Sequence, residues 1–430
     1  MNKEKYKNME VGPKEINIPE HWRIKRFNQL FKIIKGHSYK SKFYSNQADE
    51  DAMIFISLKA INKKGGFNKK GIKYYKEEVK SEKKVSPGEI IIANTDLNRD
   101  AEVVGYPLFV PKLDGDKEIC ISMDVSVLRP KKEELIEKYY YYLLSTKKVH
   151  DVIKSFAEGS TVLHLDLSSV KKINLPVPSL MEQKKIANVL TRADEILEET
   201  NKIINQLKKI KKGLRKKLLF KGIGHNEFKK IRIGPKSYNI PKGWKIETLE
   251  KNVDLQHGYQ FRSDDLVEKG IPVIKIGQLS KDRRIKLTDV TYIEEDRLKK
   301  FEDYRIKEGD VLMALSGATI GKVAVANNIN QPILQNYRVG KFIPDENKIN
   351  RLYLSYLLES ELIYDQVIVN SNRTAQANFG KENMNKIYHF LPSLKEQKKI
   401  ASILSTIDER IKAEKKYKEQ VQRVKKGLMQ

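Results

Sequence analysis

From Ile186 onward apolar residues recur every three or four positions, at Ile186, Val189, Leu190, Ala193, Ile196, Leu197, Ile203, Ile204, Leu207, Ile210, Leu214 and Leu218, with Lys, Glu and Gln crowded between them. That spacing keeps one helical face apolar over roughly four heptads and predicts a long amphipathic helix. A second run keeps the register through Ile400, Ile403, Leu404, Ile407, Ile411, Tyr417, Val421, Val424 and Leu428. Ahead of each helix the pattern shortens to β-type runs bounded by Gly, Pro and Asn turns. They are Met53–Leu58, Glu89–Ala93 and Ile119–Leu128 before the first helix, and Ile271–Ile276, Asp310–Leu315 and Lys322–Ala326 before the second. The chain therefore reads as α/β (α+β), in the order strand-rich domain, short helix, long helix, twice over.

The two halves are copies. Val11–Trp22 reads VGPKEINIPEHW and Ile233–Trp244 reads IGPKSYNIPKGW, an offset of 222 residues. Pro178–Leu190 (PSLMEQKKIANVL) returns as Pro392–Leu404 (PSLKEQKKIASIL) at an offset of 214, and both helices then reach KKGL, at Lys211–Leu214 and Lys425–Leu428. Fainter echoes lie between, Gly36–Ser41 (GHSYKS) with Gly258–Ser263 (GYQFRS) and Pro87–Ile91 (PGEII) with Glu308–Leu312 (EGDVL). The framing segments match while the framed ones differ in length and content, as expected of one scaffold carrying two different readers. After its KKGL the first helix runs on as RKKLLFKG, whereas the second reaches only Leu428-Met429-Gln430.

Each long helix needs a partner for its stripe, and the other copy supplies one of equal length. The seam of the resulting coiled coil is assigned to Ile186, Leu190, Ala193, Leu197, Ile204, Leu207 and Leu214 of the first helix and Ile400, Leu404, Ile407, Ile411, Val421 and Leu428 of the second. A dimer between chains through the same stripe is the alternative. Only Phe220–Trp244 links the first helix to the second domain. A leash that short favours antiparallel helices related by a pseudo-two-fold axis, with the domains at opposite ends. The expected boundaries are 1–177 for the first domain, 178–222 for the first helical region, 223–391 for linker and second domain, and 392–430 for the second helical region.

A length of 430 residues suits two to three domains, each able to bury a core. Charge narrows the partner: 83 Lys+Arg against 56 Asp+Glu gives +27, which points to a polyanion and first of all to nucleic acid. The single cysteine, Cys120, excludes an internal disulfide framework and a multi-cysteine zinc site. No signal core opens the chain and no apolar run approaches the roughly 18 residues of a spanning helix, so a cytoplasmic protein without a membrane partner is expected.

Catalytic motifs fall short of their chemistry. Gly317–Val323 (GATIGKV) lacks the spacing and the Ser/Thr of a phosphate-binding loop and reads as a turn before a strand. Pro344-Asp345, Glu346 and Lys348 hold the letters of a nuclease motif, but their carboxylates are too close in sequence to come from two adjacent strands. Asn174–Pro178 (NLPVP) lacks the paired prolines and the aromatic residue of an adenine methyltransferase motif. The histidines, at 21, 37, 150, 164, 225, 257 and 389, have no metal-ligand spacing. No nucleophile, metal site or cofactor site is expected in this chain.

Ile-Pro-x-x-Trp, Gly-x-x-Tyr/Phe-Lys/Arg-Ser, Pro-Gly-Glu-Ile or Glu-Gly-Asp-Val, Pro-Ser-Leu-x-Glu-Gln-Lys-Lys-Ile-Ala and a long helix reaching Lys-Lys-Gly-Leu, all present twice, resemble the specificity subunit of type I restriction-modification systems. The resemblance covers nearly the whole chain. It implies two target recognition domains, each reading one half of an asymmetric, bipartite double-stranded DNA target, and two helical regions that fix the gap and hold two methyltransferase subunits. Restriction and translocation subunits would join through those partners, and S-adenosylmethionine, ATP and Mg would be bound there. The chain itself would be non-catalytic. A stand-alone DNA-binding protein with a coiled-coil spacer shares the charge and the helices but has no use for two divergent readers, and a methyltransferase or nuclease would need the missing motifs. Candidate DNA contacts lie in loops flanking the matched strands, where basic and amide groups reach bases or phosphates and hydroxyls anchor phosphates. They are Lys40, Ser41, Lys42, Asn94, Asn98, Arg99 and His164 in the first domain, and Arg262, Ser263, Ser316, Thr319, Arg338, Arg373 and Gln376 in the second.

Overall fold

The apolar runs pair into sheets and the amphipathic runs are unbroken helices, Leu180–Lys221 with 42 residues and Leu394–Leu428 with 35. The computed structural model describes all residues except 1–4, 48, 64, 99, 114, 132–134, 281 and 372–377. The chain divides into two units, Met1–Asn201 with Lys416–Gln430, and Lys202–Lys415. Each unit thus holds one strand-rich domain, the first part of the helix that follows it, and the last part of the other helix.

In the first unit a four-stranded antiparallel sheet runs in the order Pro107–Phe109, Ile90–Ala93, Val125–Pro130, Phe31–Lys35. A second sheet runs Tyr44–Ser45, Ile72–Tyr75, Met53–Ile56, Ile119–Ile121, Lys84–Val85, with Met53–Ile56 and Ile119–Ile121 parallel. The continuous apolar run at Ile90–Ala93 follows from burial on both faces. Ile90 and Ile92 face a core with Phe31, Leu128 and the helices Glu137–Ser145 and Lys147–Ser155, while Ile91 and Ala93 face Ile54, Ile121 and Val127 of the sheet–sheet layer. The second unit repeats the plan: Val253–His257, Val339–Pro344, Val311–Ala314 and Val323–Val325 form its four-stranded sheet. Val311 and Met313 face the helices Arg351–Leu358 and Glu361–Asn370, and Leu312 and Ala314 face the other layer.

One expected strand is in fact two. Ile119–Leu128 breaks at Ser122–Asp124, so that Ile119–Ile121 belongs to one sheet and Val125–Pro130 to the other. The turn is closed by the Val125 amide on the Ser122 carbonyl at 2.9 Å, matched in the second unit by Val339 on Asn336 at 2.9 Å.

The repeated motifs meet in space. Glu182, in the first turn of the long helix, accepts from Trp22 Nε1 (3.1 Å), from the Ser179 amide (3.0 Å) and from Ser179 Oγ (2.6 Å), and lies 2.8 Å from His21 Nε2. Glu396 accepts from Trp244 Nε1 (3.0 Å) and the Ile223 amide (3.0 Å), 2.8 Å from His225 Nε2. The neighbouring Gln183 accepts from the Ile136 amide at 3.2 Å and donates to the Pro178 carbonyl at 3.0 Å, while Gln397 accepts from Asn350 at 2.8 Å and donates to Pro392 at 2.9 Å. The Glu-Gln pair therefore docks each helix on its domain.

The first turns of both helices bury their stripe against domain cores, with Ala187 and Ile186 on the first and Ile400, Ala401 and Leu404 on the second. Further along, Ile204 and Ile411 are buried, and Ala193, Leu197, Leu207, Leu214, Ile407 and Val421 are half-buried. Leu428 does not belong to the seam. It is 54% exposed, because the buried side of the last turns passes through Lys425 and Met429 instead. Lys425 pairs with Asp194 in the first unit and Lys211 with Asp408 (2.6 Å) in the second, so the helices run antiparallel. Each lysine also sits over a tyrosine ring, Tyr142 or Tyr356, whose hydroxyl donates to the same aspartate at 2.8 and 2.7 Å.

The second unit adds a latch. Arg283, at φ 61° on a hairpin tip, stacks 4.0 Å from the Tyr356 ring centre, pairs with Asp408 at 3.2 Å and donates to Ser355 Oγ. Glu359 lies 3.7 Å from it and is held by Arg215 at 2.7 Å. The corresponding turn of the first unit, closed by Asn62 on Gly66 as Ser280 is on Arg284, carries Gly65 at that place. Among the described residues no helix is long and apolar enough to cross a membrane. Cys120 is buried, which pushes its thiol up to about 12 and leaves it inert.

The Ser179 and His21 hydrogen bonds hold Glu182 at about 2, down from 4.5. Its contribution is therefore complete above pH 4.5 and lost as pH falls toward 2. Glu182→Gln should flatten the acid limb of a pH-dependent unfolding curve and cost about 2 kcal/mol at neutral pH; an unchanged acid limb would contradict the clamp. Arg283→Ala leaves Asp408 and Glu359 with one cation each and loses the ring stack. A destabilisation of about 3 kcal/mol in urea unfolding is expected, partly restored by Arg283→Lys.

Candidate nucleic-acid interface

Four segments end together at one edge of each four-stranded sheet. In the first unit they are the Gly36-His37 turn, Asn94–Asp96 after the Ile90–Ala93 strand, the Ser122–Asp124 crossover, and the strand Leu163–Leu165. Backbone bonds tie them: His37 amide to Ile121 carbonyl (2.7 Å), Met123 to His37 (2.8 Å), Asn94 to Asp124 (2.7 Å) and Leu165 to Asn94 (2.7 Å). Thr95 then pairs with His164. The second unit has the same bonds in the same order, Tyr259 to Gln335 (2.9 Å), Tyr337 to Tyr259 (2.9 Å), Leu315 to Arg338 (2.9 Å) and Phe379 to Leu315 (2.8 Å), followed by the Ser316–Asn378 bridge.

The matched glycines are explained by this convergence. A Cβ on Gly36 would overlap the Ile121 and Ser122 carbonyl oxygens, and one on Gly258 those of Gln335 and Asn336. Only glycine lets the loop backbone lie directly on the crossover. The loop that follows in the first unit is braced from below. The Tyr75 hydroxyl accepts from the Lys40 amide at 3.1 Å and donates to Glu77, which lies 3.0 Å from His37 Nε2. Burial, then the Glu77 bond, pushes Tyr75 up to about 12, while the Tyr75 and His37 bonds hold Glu77 below the usual carboxylate range.

The candidate residues separate into those presented at this edge and those consumed by it. Lys40, Ser41 and Lys42 are exposed on the braced loop, and His164 is exposed on its short strand. Asn98 is exposed but donates to Asp100 and Glu102, both at 3.3 Å. Asn94 is not a surface contact: it is 3% exposed and its Nδ2 donates to the Met123 carbonyl at 3.1 Å. In the second unit Arg262 and Ser263 are exposed on the matching loop, and Arg338 is half-buried with its Nε donating to Tyr337 Oη at 2.7 Å. Ser316 is also buried, at 5% exposure, and neither its hydroxyl nor that of half-buried Thr319 has a partner among the described residues. Arg99, Arg373 and Gln376 lie outside the described residues.

Sequence reading passed over Thr95, Asp124, Asn336 and Tyr337, which sit at the meeting point. The signal was present as Ser122-Met123-Asp124 interrupting an otherwise apolar run. Two other histidines serve structure: His150 is buried, stacked 3.6 Å from Tyr106 and 3.2 Å from the Val104 carbonyl, and His389 lies 3.1 Å from Asn252, its burial dropping it to about 4. Among the described residues no group of three or more His, Cys, Asp or Glu could hold a metal ion. What the edge offers is hydrogen-bond donors, acceptors and cations on a rigid backbone, suited to recognition of a polar surface.

Comparison with known proteins accords with this arrangement. The type I restriction modification DNA specificity domain matches residues 19–209 and 241–423. The specificity subunit of the type I restriction enzyme MjaVIII of Methanocaldococcus jannaschii is 31% identical over 418 residues, 96% of this chain and 92% of that protein. The EcoBI specificity subunit of Escherichia coli is 21% identical over 406 residues, 90% of this chain and 79% of its own length. In fold, the chain resembles the type I restriction-modification S subunit of M. genitalium, with a TM-score of 0.59 at 16% identity over 95% of both chains. With two domain matches that take in most of its length, this chain belongs to the type I restriction-modification specificity subunit family.

Proposed function

We propose that the chain reads a bipartite, asymmetric DNA target of fixed gap and holds two methyltransferase subunits, through which restriction subunits join, and that it carries no catalysis of its own. The observation that bears most weight is a pair of sheet edges with the same backbone bonds and different side chains. Two such edges on one duplicated frame suit two half-sites of different sequence. The net charge of +27 suits a phosphate backbone.

A docking face for the methyltransferase subunits is supported by an apolar stripe that neither helix buries. Val189, Ile203 and Ile210 on the first helix are 53%, 39% and 51% exposed, and their counterparts 214 residues on, Ile403, Tyr417 and Val424, are 39%, 46% and 62% exposed. Repetition at equivalent places suits two copies of one partner. S-adenosylmethionine, ATP and Mg would be bound by the partner subunits, not by this chain.

The gap is assigned to the two unbroken helices. Removing one heptad from both, within Glu182–Leu218 and Glu396–Leu428, keeps the apolar register and shortens the pair by roughly 10 Å. At about 3.4 Å per base pair that is near three base pairs, with a turn of about 100° around the duplex. On a library of spacer lengths, read with the methyltransferase partner present, the preferred gap should move or binding should vanish; a folded double deletion that keeps the original gap would assign spacing to the partners. Gly36→Ala should impair discrimination in the first half-site by about tenfold or more, through displacement of the crossover, while the second half-site is read as before. Equal loss at both half-sites would mean that the edges are not separate readers.

A further inference from the structure

The two sheet edges differ most sharply at one position. The residue whose carbonyl accepts from the strand-end amide is Asp124 in the first unit, bonded by Asn94, and Arg338 in the second, bonded by Leu315, both preceded by a residue whose amide is bonded to the glycine loop. The backbone thus delivers a carboxylate and a guanidinium to equivalent places. Both side chains are partly exposed, and neither is in an ion pair among the described residues. Resting on the DNA-reading function above, we propose that this position reads a base in each half-site, Asp124 the cytosine edge and Arg338 the guanine edge of a G·C pair.

Arg338 is prepared for such a contact. Its Nε is used by Tyr337 Oη at 2.7 Å and its guanidinium lies 5.3 Å from the Tyr337 ring centre, which fixes the plane of the fork and leaves both terminal amino groups without a partner among the described residues. A fixed fork of two donors matches the O6 and N7 acceptors of guanine in the major groove. Its main-chain amide is also fixed, 3.3 Å from Asn336 Oδ1.

Asp124 argues from the opposite sign. A carboxylate on a surface that approaches phosphates is repelled by them, so it gains nothing as a backbone contact. Of the groups DNA presents, a base donor is what favours it, and cytosine N4 is the donor that an acceptor-only group reads in the major groove. Ser122 Oγ donates to Oδ2 at 3.3 Å and Thr95 Oγ1 lies 3.5 Å from Oδ1. These contacts hold the carboxylate and leave lone pairs for the amino group.

The test uses the full chain with its methyltransferase partner on a library in which each half-site is randomised in turn. Asn and Gln are matched to adenine, so Arg338→Gln should move one position of the second half-site from guanine to adenine, and Asp124→Asn should move one position of the first from cytosine to adenine. Each shift should be about tenfold to a hundredfold, with all other positions unchanged. Arg338→Ala should lose guanine preference at the same position only. Retained preference in the Gln and Asn variants would overturn the assignment. So would a uniform weakening with a salt slope lower by about one, the mark of a phosphate contact. Melting curves of the near-isosteric Asp124→Asn protein separate unfolding from altered reading: a folded variant with unchanged preference counts against the proposal. If the unaltered complex selects no bipartite sequence at all, it is the function that fails and not the choice of residues.

Discussion

Each long helix is joined to its domain through one carboxylate in its first turn. Glu182 and Glu396 accept from an indole, a main-chain amide and, beside a histidine, close the junction of helix and domain. The carboxylate is only partly withdrawn from water, Glu396 more than Glu182, and the donors gathered around it answer its lone pairs. Trp22 and Glu182 lie 160 residues apart, and Trp244 and Glu396 152. This is why the strongest sequence identity sits in segments far from each other, and why what lies between them can change without loosening the joint. The glutamine that follows each glutamate satisfies a backbone amide and carbonyl at the same seam, which makes Glu-Gln a unit and not two separate preferences.

The parts of this structure governed by periodicity were legible in the sequence. The long helices follow the apolar spacing, and the continuous apolar runs at Ile90–Ala93 and Val311–Ala314 reflect sheets buried on both faces. The interruption at Ser122-Met123-Asp124 marked a break in the run, but periodicity could not show that the run changes sheets there, because Ile119–Ile121 and Val125–Leu128 are both buried, in different layers. Nor could it distinguish polar residues that face solvent from those that close the edge: Asn94 and Ser316 occupy strand ends where the next layer covers them. Leu428 keeps the heptad spacing in a turn whose buried side has rotated to Lys425 and Met429, so its apolar character has no seam to enter. In each case the deciding fact is a long-range neighbour that no local pattern contains.

Duplication with exchange of helix ends explains the exactness of the repeats. Asp194 with Tyr142 and Lys425, and Asp408 with Tyr356 and Lys211, are the same three-residue contact, and in each the lysine comes from the other copy. Each unit is therefore completed by a strand of sequence that belongs, by descent, to its twin. A change in one copy is felt in the packing of the other, which restrains both helices at once. The domains differ in what they set against those helices: Arg283 latches the second domain to its helices where the first has Gly65.

Divergence at the sheet edges takes a particular form because the backbone there is held by its own amides and carbonyls. The four bonds that bind glycine loop, crossover, strand end and return strand involve no side chain, so a side-chain change at the positions they join does not itself remove them unless it introduces proline at a donating amide. Side chains at Asp124 and Arg338 can then exchange acceptor for donor while their Cα positions stay fixed by the same carbonyl bond. On the function proposed above, recognition chemistry is separated from folding: the clamp and the buried stripe determine where an edge is, and the residues projecting from it would determine what it binds. A reader built so can acquire a new preference by one substitution without losing the frame that presents it.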